Sequence, residues 1–267
     1  MIVDYHIHLR NGREEIAHDT WAVEPFVEIA RQEGVDEIGF TEHAYYFEQT
    51  RALWTHPYQT ERCVYDLEPY VEAVLQARER GLPVKLGLEV DYVQGREDEM
   101  HSLLEPYPWD YLLGSVHFID GLGVDGEPRL LEALGVDEAW RRYFETLAAA
   151  AQSQLFDSLS HPDLVKIFGV LAASFDYNPV AEAIAESGVA VEVSTAGLRK
   201  PVGELYPHPD FLAACRERNV PVTLGSDAHK PVLVGREFDR ARDLLRSVGY
   251  ETITLFDGRR GRQEQLG

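Results

Sequence analysis

Two histidines close the first apolar segment of the sequence, in the run MIVDYHIHL. In a β-strand, residues i and i+2 point to the same face, so His6 and His8 would lie side by side while Ile7 faces the other way. Neutral imidazole is the most common metal ligand in proteins, and two imidazoles at this spacing can bind one ion. Because a single His-x-His pair also occurs by chance, this pair alone indicates a metal site only weakly.

Further histidines and carboxylates lie at or near the ends of later apolar segments, which read FTEH, GLEV, GSVH, SLSH and GSDAH. The complete set is His6, His8, His43, Glu89, His117, His161, Asp227 and His229. Six imidazoles gathered in one place would repel one another when protonated, and they would lack partners in a dry site. Metal ions remove this conflict, because they bind neutral imidazole nitrogens and because carboxylates can bridge two ions. The set therefore predicts a site for several metal ions.

The elements that must position these side chains alternate along the chain. Strands are predicted in MIVDYHIHL, VDEIGFTEH, VKLGLEVDY, WDYLLGSVHFI, FDSLSHPDL, VAVEVST and VPVTLGSDAH, with a weaker one in ETITLF. Amphipathic helices are predicted in TWAVEPFVEIARQEG, DLEPYVEAVLQARERG and NPVAEAIAESG, the last capped by Asn178. This repeat predicts a parallel sheet covered on both faces, most simply a closed α/β barrel, whose functional groups gather at the C-terminal strand ends. A doubly wound sheet is less favoured, because no glycine-rich phosphate loop follows the first strand.

Composition narrows the partners and the compartment. The 267 residues carry 25 Lys and Arg against 46 Asp and Glu, a formal charge of −21, which disfavours nucleic acids and anionic membranes as partners. The chain has no long apolar run and no export signal, and Cys63 and Cys215 are far apart. We expect one soluble, cytoplasmic domain spanning residues 1–267 and no disulfide.

The segment from residue 44 to residue 66 is too long and too aromatic for a simple connection. It predicts a lid or part of a substrate pocket whose rings could stack on an imidazole, although core packing explains them equally well. The aromatic residues concerned are Tyr45, Tyr46, Trp54 and Tyr58. Three histidines in loop or helix contexts, His56, His101 and His208, are expected to have no part in the metal site.

The motifs HIH, TEH, a strand-end Glu, SVH, SHPD and SDAH, in this order across nearly the whole chain, resemble those of the polymerase and histidinol phosphatase (PHP) superfamily. The stretch STAGLRKPVGELYPHPDFL followed by PVTLGSDAH resembles, more narrowly, the histidinol-phosphate phosphatases of that superfamily. The resemblance implies a distorted (β/α)7 TIM-like barrel with three ions of zinc, iron or manganese. It implies a first ion on His6, His8, Glu89 and Asp227, a second on Glu89, His117 and His161, and a third on His18, His43 and His229.

The resemblance also implies hydrolysis of L-histidinol phosphate in histidine biosynthesis, by attack of a hydroxide that bridges two metal ions. An alcohol is a poor leaving group, so a general acid is needed, for which Asp227 or His229 is the candidate. Arg199 and Lys200 follow the sixth strand, where they could bind the phosphate or could form a solvated basic turn. Asp4, two residues before His6, could orient an imidazole or simply begin the strand.

Three alternatives stay open. The first is a related phosphoesterase acting on other small phosphate esters, nucleotides or phosphotyrosine. The second is a barrel that has lost catalysis and serves as a binding module, which the occupied metal positions disfavour. The third is a metal-dependent amidohydrolase. Such a barrel usually has a carboxylated lysine or a carboxylate from a middle strand between its metal ions, and the SDAH motif fits its pattern less well.

Overall fold

The computed structural model describes residues 1–9 and 18–267, and its strands follow the predicted apolar segments. The strands are β1 (Val3–Ile7), β2 (Glu37–Phe40), β3 (Val84–Asp91), β4 (Tyr111–Ser115), β5 (Phe118–Ile119), β6 (Leu122–Gly123), β7 (Ser158–Leu159), β8 (Ala190–Ser194), β9 (Val222–Gly225), β10 (Thr252–Asp257) and β11 (Arg260–Gln265). The helices are α1 (Thr20–Gln32), α2 (Pro57–Thr60), α3 (Leu67–Glu79), α4 (Glu97–Leu104), α5 (Arg129–Leu134), α6 (Val136–Gln152), α7 (Asn178–Ser187), α8 (Pro209–Glu217) and α9 (Phe238–Ser247).

Seven strands of the described segments form one parallel sheet in the order β1-β2-β3-β4-β7-β8-β9. Just beyond the two outer strands, the backbone N–H of His8 donates to the Ala228 carbonyl at 2.8 Å, and the Ala228 N–H donates to the His6 carbonyl at 3.2 Å. These two bonds bring the first and last strands together at their C-terminal ends. The predicted distorted (β/α)7 TIM-like barrel is therefore confirmed.

The barrel interior is filled by side chains below the strand ends, as in other small parallel barrels. Tyr111 is fully buried there, and its hydroxyl donates to the Tyr5 carbonyl at 2.8 Å. A Cβ at Gly39 would lie 2.0 Å from the Tyr111 hydroxyl oxygen, and a Cβ at Gly87 would lie 2.8 Å from its ring. Glycine at these two strand positions thus makes room for the tyrosine that closes the floor under the strand ends.

The N-terminal end of the barrel is closed by the antiparallel hairpin of β10 and β11. The Arg259 guanidinium in its turn bonds to the Asp157 carboxylate, which also accepts the Leu112 N–H at 2.7 Å. Asp110 accepts the Leu86 N–H at 2.8 Å and the Arg78 Nη1 at 2.9 Å. Asp110 and Asp157 therefore each pair with an arginine and with a backbone N–H.

Three predicted helices are confirmed, but the predicted cap of one of them is wrong. The helices predicted near residues 20, 66 and 178 are present as α1, α3 and α7. Asn178 is not the cap of α7, because the helix begins at Asn178 itself and the Asp176 carboxylate accepts the Asn178 N–H at 3.0 Å. Cys63 and Cys215 are buried and unpaired. Within the described segments, no helix is both long enough and apolar enough to cross a bilayer.

Candidate metal centre

The two histidines of β1 lie side by side, as their spacing predicts. His6 and His8 are fully buried, with ring centroids 5.1 Å apart. Ile7 between them is also fully buried and belongs to the hydrophobic core. The strand period thus separates one packing residue from two imidazoles that point to the C-terminal mouth of the barrel.

Glu89 lies at the centre of the histidine cluster and is 1% exposed. Its Oε1 faces three imidazole Nε2 atoms, those of His6 at 3.4 Å, His117 at 3.6 Å and His161 at 3.0 Å. Its Oε2 faces the Nδ1 of His43 at 2.7 Å and the Nε2 of His8 at 3.6 Å. The two oxygens of one carboxylate therefore divide five imidazoles into two sets, the arrangement of a carboxylate that can bridge two ions.

Asp227 completes the mouth from the end of β9. Its Oδ1 lies 3.3 Å from the His8 Nε2, 3.7 Å from the His6 Nε2 and 3.4 Å from the His229 Nδ1. The His8 ring stacks on that of His43 and on that of His229, with centroid distances of 4.3 Å and 4.2 Å. The first and last strand ends are thus joined by side chains as well as by backbone.

Four sets of three ligand atoms lie within 4.8 Å of one another in the described part of the chain. They are His6, His8 and Asp227; His6, Glu89 and His161; His43, Glu89 and His117; and His8, His43 and His229. The structure thus brings together every predicted ligand except His18. Which ion each residue binds stays a prediction.

His18 lies beside the cluster rather than in one of these sets. Its side chain is 4% exposed, and its Nε2 is 4.0 Å from the Glu42 Oε1. In the described structure His8, not His18, forms the third set with His43 and His229. Residues 10–17, which lead from β1 to His18, lie outside the described residues.

The imidazoles of the cluster have very different proton affinities when no cation is bound. Burial alone would lower the pKa of His6, but the Glu192, Glu89 and Asp227 carboxylates outweigh burial and raise it well above its ordinary value. Carboxylates likewise outweigh burial and raise the pKa of His8 to about 9 and of His117 to about 10. Burial and the neighbouring His8 lower the pKa of His229 to about 3. The carboxylates therefore favour protonation of His6, His8 and His117 but not of His229.

The donor atoms fit a group of divalent cations. The Nε2 atoms of His6 and His8 and the Oε2 of Glu89 are buried and make no hydrogen bond to any described residue. A buried polar atom without a partner is costly, and a cation would give all three a partner at once. Imidazole nitrogen together with carboxylate oxygen suits zinc, iron and manganese alike.

Two carboxylates behind the cluster were not predicted. Glu192 on β8 places its Oε1 2.9 Å from the His6 Nδ1 and accepts the His161 N–H at 2.5 Å. Asp91 at the end of β3 lies 2.5 Å from the His117 Nδ1 and accepts the Gln59 amide at 2.5 Å. The signal in the sequence was an acidic residue inside an apolar strand, as in VAVEVS.

Asp4, the residue whose role was left open, does not contact an imidazole. Its carboxylate accepts the N–H groups of Ser226 and Gly235, both at 2.9 Å. It is fully buried, and burial raises its pKa to about 6. Asp4 therefore fixes the loop that carries Asp227 and His229 to the first strand.

A cavity of about 760 Å³ opens above the cluster. His43, His117, His161, Asp227 and His229 form its floor, and Arg199, Lys200 and Arg129 reach it from the side. The predicted aromatic segment supplies Tyr45, Tyr46 and Tyr58, whereas Trp54 is buried and donates to the Thr50 hydroxyl at 2.9 Å. His56 also lines the cavity, with its ring 4.7 Å from that of Phe118.

Arg199 is held in place by the strand ends. Its Nη2 donates to the Ser226 carbonyl at 2.5 Å, next to Asp227, and its Nη1 lies 3.3 Å from the Thr195 carbonyl. Lys200 beside it is exposed. The two cations thus stand at the rim of the cavity, Arg199 held by backbone carbonyls and Lys200 exposed to solvent.

Comparison with known proteins agrees with this geometry. The family model of the PHP domain matches residues 4–196. The chain belongs to the PHP domain family. The matched span contains most of the cluster, and the barrel adds Asp227 and His229 from beyond it.

Three proteins that are named as histidinol phosphatases are similar to this chain. A protein of Deinococcus radiodurans named "Probable histidinol-phosphatase" is 36% identical, over 89% of this chain and 92% of the relative. The histidinol-phosphatase of Bacillus subtilis is 29% identical, over 80% of this chain and 89% of the relative. A structure of the Lactococcus lactis histidinol phosphate phosphatase with zinc, L-histidinol and phosphate has a TM-score of 0.74 at 22% identity, covering 98% of both chains. At 22% identity, this structural similarity shows that the two chains share a fold.

Proposed function

We propose that this PHP chain is a histidinol-phosphatase, a metal-dependent phosphomonoesterase that hydrolyses L-histidinol phosphate to L-histidinol and phosphate. The observation that carries the proposal is the placing of Glu89, whose two oxygens face separate sets of imidazoles under an open cavity. The similarity to curated histidinol-phosphatases over most of the chain supports the substrate. A place in histidine biosynthesis follows from that reaction.

The cluster is proposed to bind three divalent ions on His6, His8, His18, His43, Glu89, His117, His161, Asp227 and His229. Bound ions would supply two things that phosphate ester hydrolysis needs, a water of lowered pKa and positive charge beside the phosphoryl oxygens. The four overlapping ligand sets support more than one ion. The number three, the native metal and the inclusion of His18 are part of the proposal.

The protein residues around the cavity would bind and orient the ester. Arg199 offers a guanidinium whose position is fixed by two backbone carbonyls, and Lys200 offers a mobile ammonium, so together they suit a phosphate at the rim. Asp227 and His229, the predicted candidates for protonating the leaving alcohol, lie 3.4 Å apart at the cavity. The pKa of each is lowered there, so either one would have to take up a proton during the reaction before it could act as a general acid. Tyr58 and His56 stand beside Phe118 as an aromatic wall for the imidazole ring of the substrate.

The test is a substrate panel on the metal-loaded protein. L-histidinol phosphate, an aryl phosphate, a nucleoside monophosphate and phosphotyrosine are compared by phosphate release. The proposal expects the highest kcat/KM for L-histidinol phosphate and complete loss of activity after chelation. Arg199→Ala should raise KM for phosphate esters, while Arg236→Ala, outside the cavity lining, serves as the control for loss of one arginine.

The alternative is a PHP phosphoesterase for other small phosphate esters, nucleotides or phosphotyrosine. Hydrolysis of aryl phosphates with no action on L-histidinol phosphate would select this alternative and leave the metal centre intact. Inactivity on every ester by a metal-loaded protein would reject both. The single-domain organisation and the cytoplasmic location remain predictions from the sequence.

A further inference from the structure

Glu192 is the only acidic residue of β8 and lies in its middle, in the run AVEVS. It is 1% exposed, and in the parallel pairing of β8 with β9 it lies opposite Thr223. A buried carboxylate costs free energy unless strong hydrogen bonds compensate for the lost hydration. Its partners therefore indicate why an acid stands in this strand.

Both oxygens of Glu192 are used by residues of the metal centre. Oε1 lies 2.9 Å from the His6 Nδ1, and Oε2 accepts the His161 backbone N–H at 2.5 Å. An ionised carboxylate can only accept, so in the neutral imidazole, the form that binds a metal ion, the His6 Nδ1 carries the proton and its Nε2 has the free lone pair. That Nε2 is the atom that points to Glu89 and Asp227.

The second bond acts on backbone rather than on a ring. His161 has a φ of 27°, a conformation that residues other than glycine seldom adopt. Its backbone N–H donates to the Glu192 carboxylate, while its side-chain Nε2 lies 3.0 Å from the Glu89 Oε1. One carboxylate thus holds two of the three histidines that face the Glu89 Oε1, His6 by its ring and His161 by its backbone.

The neighbouring strand leaves space for this arrangement. A Cβ at Gly225 on β9 would lie 1.7 Å from the Glu192 Oε1 and 2.7 Å from the His6 Cβ. Only glycine allows the acid and the imidazole to approach each other here. The close approach is therefore built into β9 as well as β8.

We infer that Glu192 is a positioning residue of the metal centre, which fixes the His6 ring and the His161 backbone so that both residues present Nε2 to the ions beside the Glu89 Oε1. Partners behind metal-binding histidines commonly change metal affinity by about 10- to 100-fold. The inference rests on the proposed metal-dependent function, but it concerns metal binding and can be measured without substrate.

The experiment measures metal content and affinity by competition with a chelator, using full-length chains loaded with zinc or manganese. Glu192→Gln keeps the volume but has one accepting oxygen for two N–H donors, and Glu192→Asp keeps the charge but is shorter by one methylene. Both should lose affinity for one ion by about 10- to 100-fold. Excess metal should restore phosphatase activity to both, an effect that lost packing alone would not show.

Val193→Ala is the matched control, because Val193 is the adjacent buried residue of β8 and its side chain points to the opposite face of the strand. It should lower the melting temperature and leave metal affinity per folded chain unchanged. Wild-type affinity in either Glu192 variant, or an equal loss in Val193→Ala, would overturn the inference. If the wild type binds metal but does not hydrolyse L-histidinol phosphate, the proposed function fails while this inference is still decided by the affinities.

Discussion

The two ends of the barrel both bury carboxylates, but they neutralise them differently. At the N-terminal end, Asp110 and Asp157 each bond to an arginine and to a backbone N–H. At the C-terminal end, Glu89 and Asp227 face six imidazoles and form no ion pair with an arginine or lysine of the described residues. An imidazole can bind either a proton or a metal ion, whereas an arginine keeps its charge. The first end is thus built for stability and the second for exchangeable cations.

The largest expected effect comes from removing a ligand at the C-terminal end. His8→Ala or Asp227→Ala should lower kcat/KM for L-histidinol phosphate on the order of a thousandfold, because several kcal/mol of transition-state stabilisation depend on the bound ions. Metal content should fall in the same variants. His101→Ala on α4, a histidine outside the cluster, is the control and should keep both values.

A mutation at the N-terminal end should lower stability and leave activity nearly unchanged. Asp110→Ala leaves the buried Leu86 N–H and the Arg78 guanidinium without their acceptor, so we expect a loss of about 1–3 kcal/mol in the free energy of unfolding. Urea denaturation measures this loss, and kcat/KM should stay near the wild-type value in the folded enzyme. The exposed pair of Arg141 and Glu145 on α6 provides the control, since Glu145→Ala should change stability by less than about 0.5 kcal/mol.

Metal binding at the C-terminal end should depend on pH, unlike the arginine pairs. In the metal-free protein the pKa of His8 is about 9 and that of His117 about 10, so at neutral pH both rings are positively charged, with a proton on each ring nitrogen. An ion must displace those protons, and affinity should fall as pH falls below 9, by about tenfold per pH unit for each proton released. Calorimetry in buffers of different ionisation enthalpy would detect the release, and an affinity independent of pH between 6 and 9 would contradict it.

The smallest effect is expected from a substitution of Ile7, which lies between His6 and His8 on β1. Ile7→Val removes one methylene from the fully buried face of β1, and it should cost about 0.5–1.5 kcal/mol of stability. Thermal unfolding would measure this cost. Activity and metal content should be retained, so a loss of bound metal in this variant would show that packing and ligation are not separated by the strand period.

The sequence was sufficient for the barrel and for most of the cluster because both depend on local patterns. Apolar runs marked the strands, and histidines at their ends marked the mouth, where parallel strands bring distant residues together. Glu192 was missed because an acid inside an apolar run has meaning only once its neighbours are known, and here those neighbours come from β1 and from the turn after β7. The role of Asp4 was equally hidden, since its partners lie more than 220 residues away along the chain. His18 illustrates a further limit, because the sequence between β1 and His18 carries no periodic signal that would place it.

The most direct test of the account is a metal titration of the chelator-treated protein, following bound metal and phosphate release from L-histidinol phosphate in the same samples. The account predicts that activity is absent without metal and returns as occupancy approaches three ions per chain. Full activity in the metal-free protein, or no activity on L-histidinol phosphate at full occupancy, would contradict it.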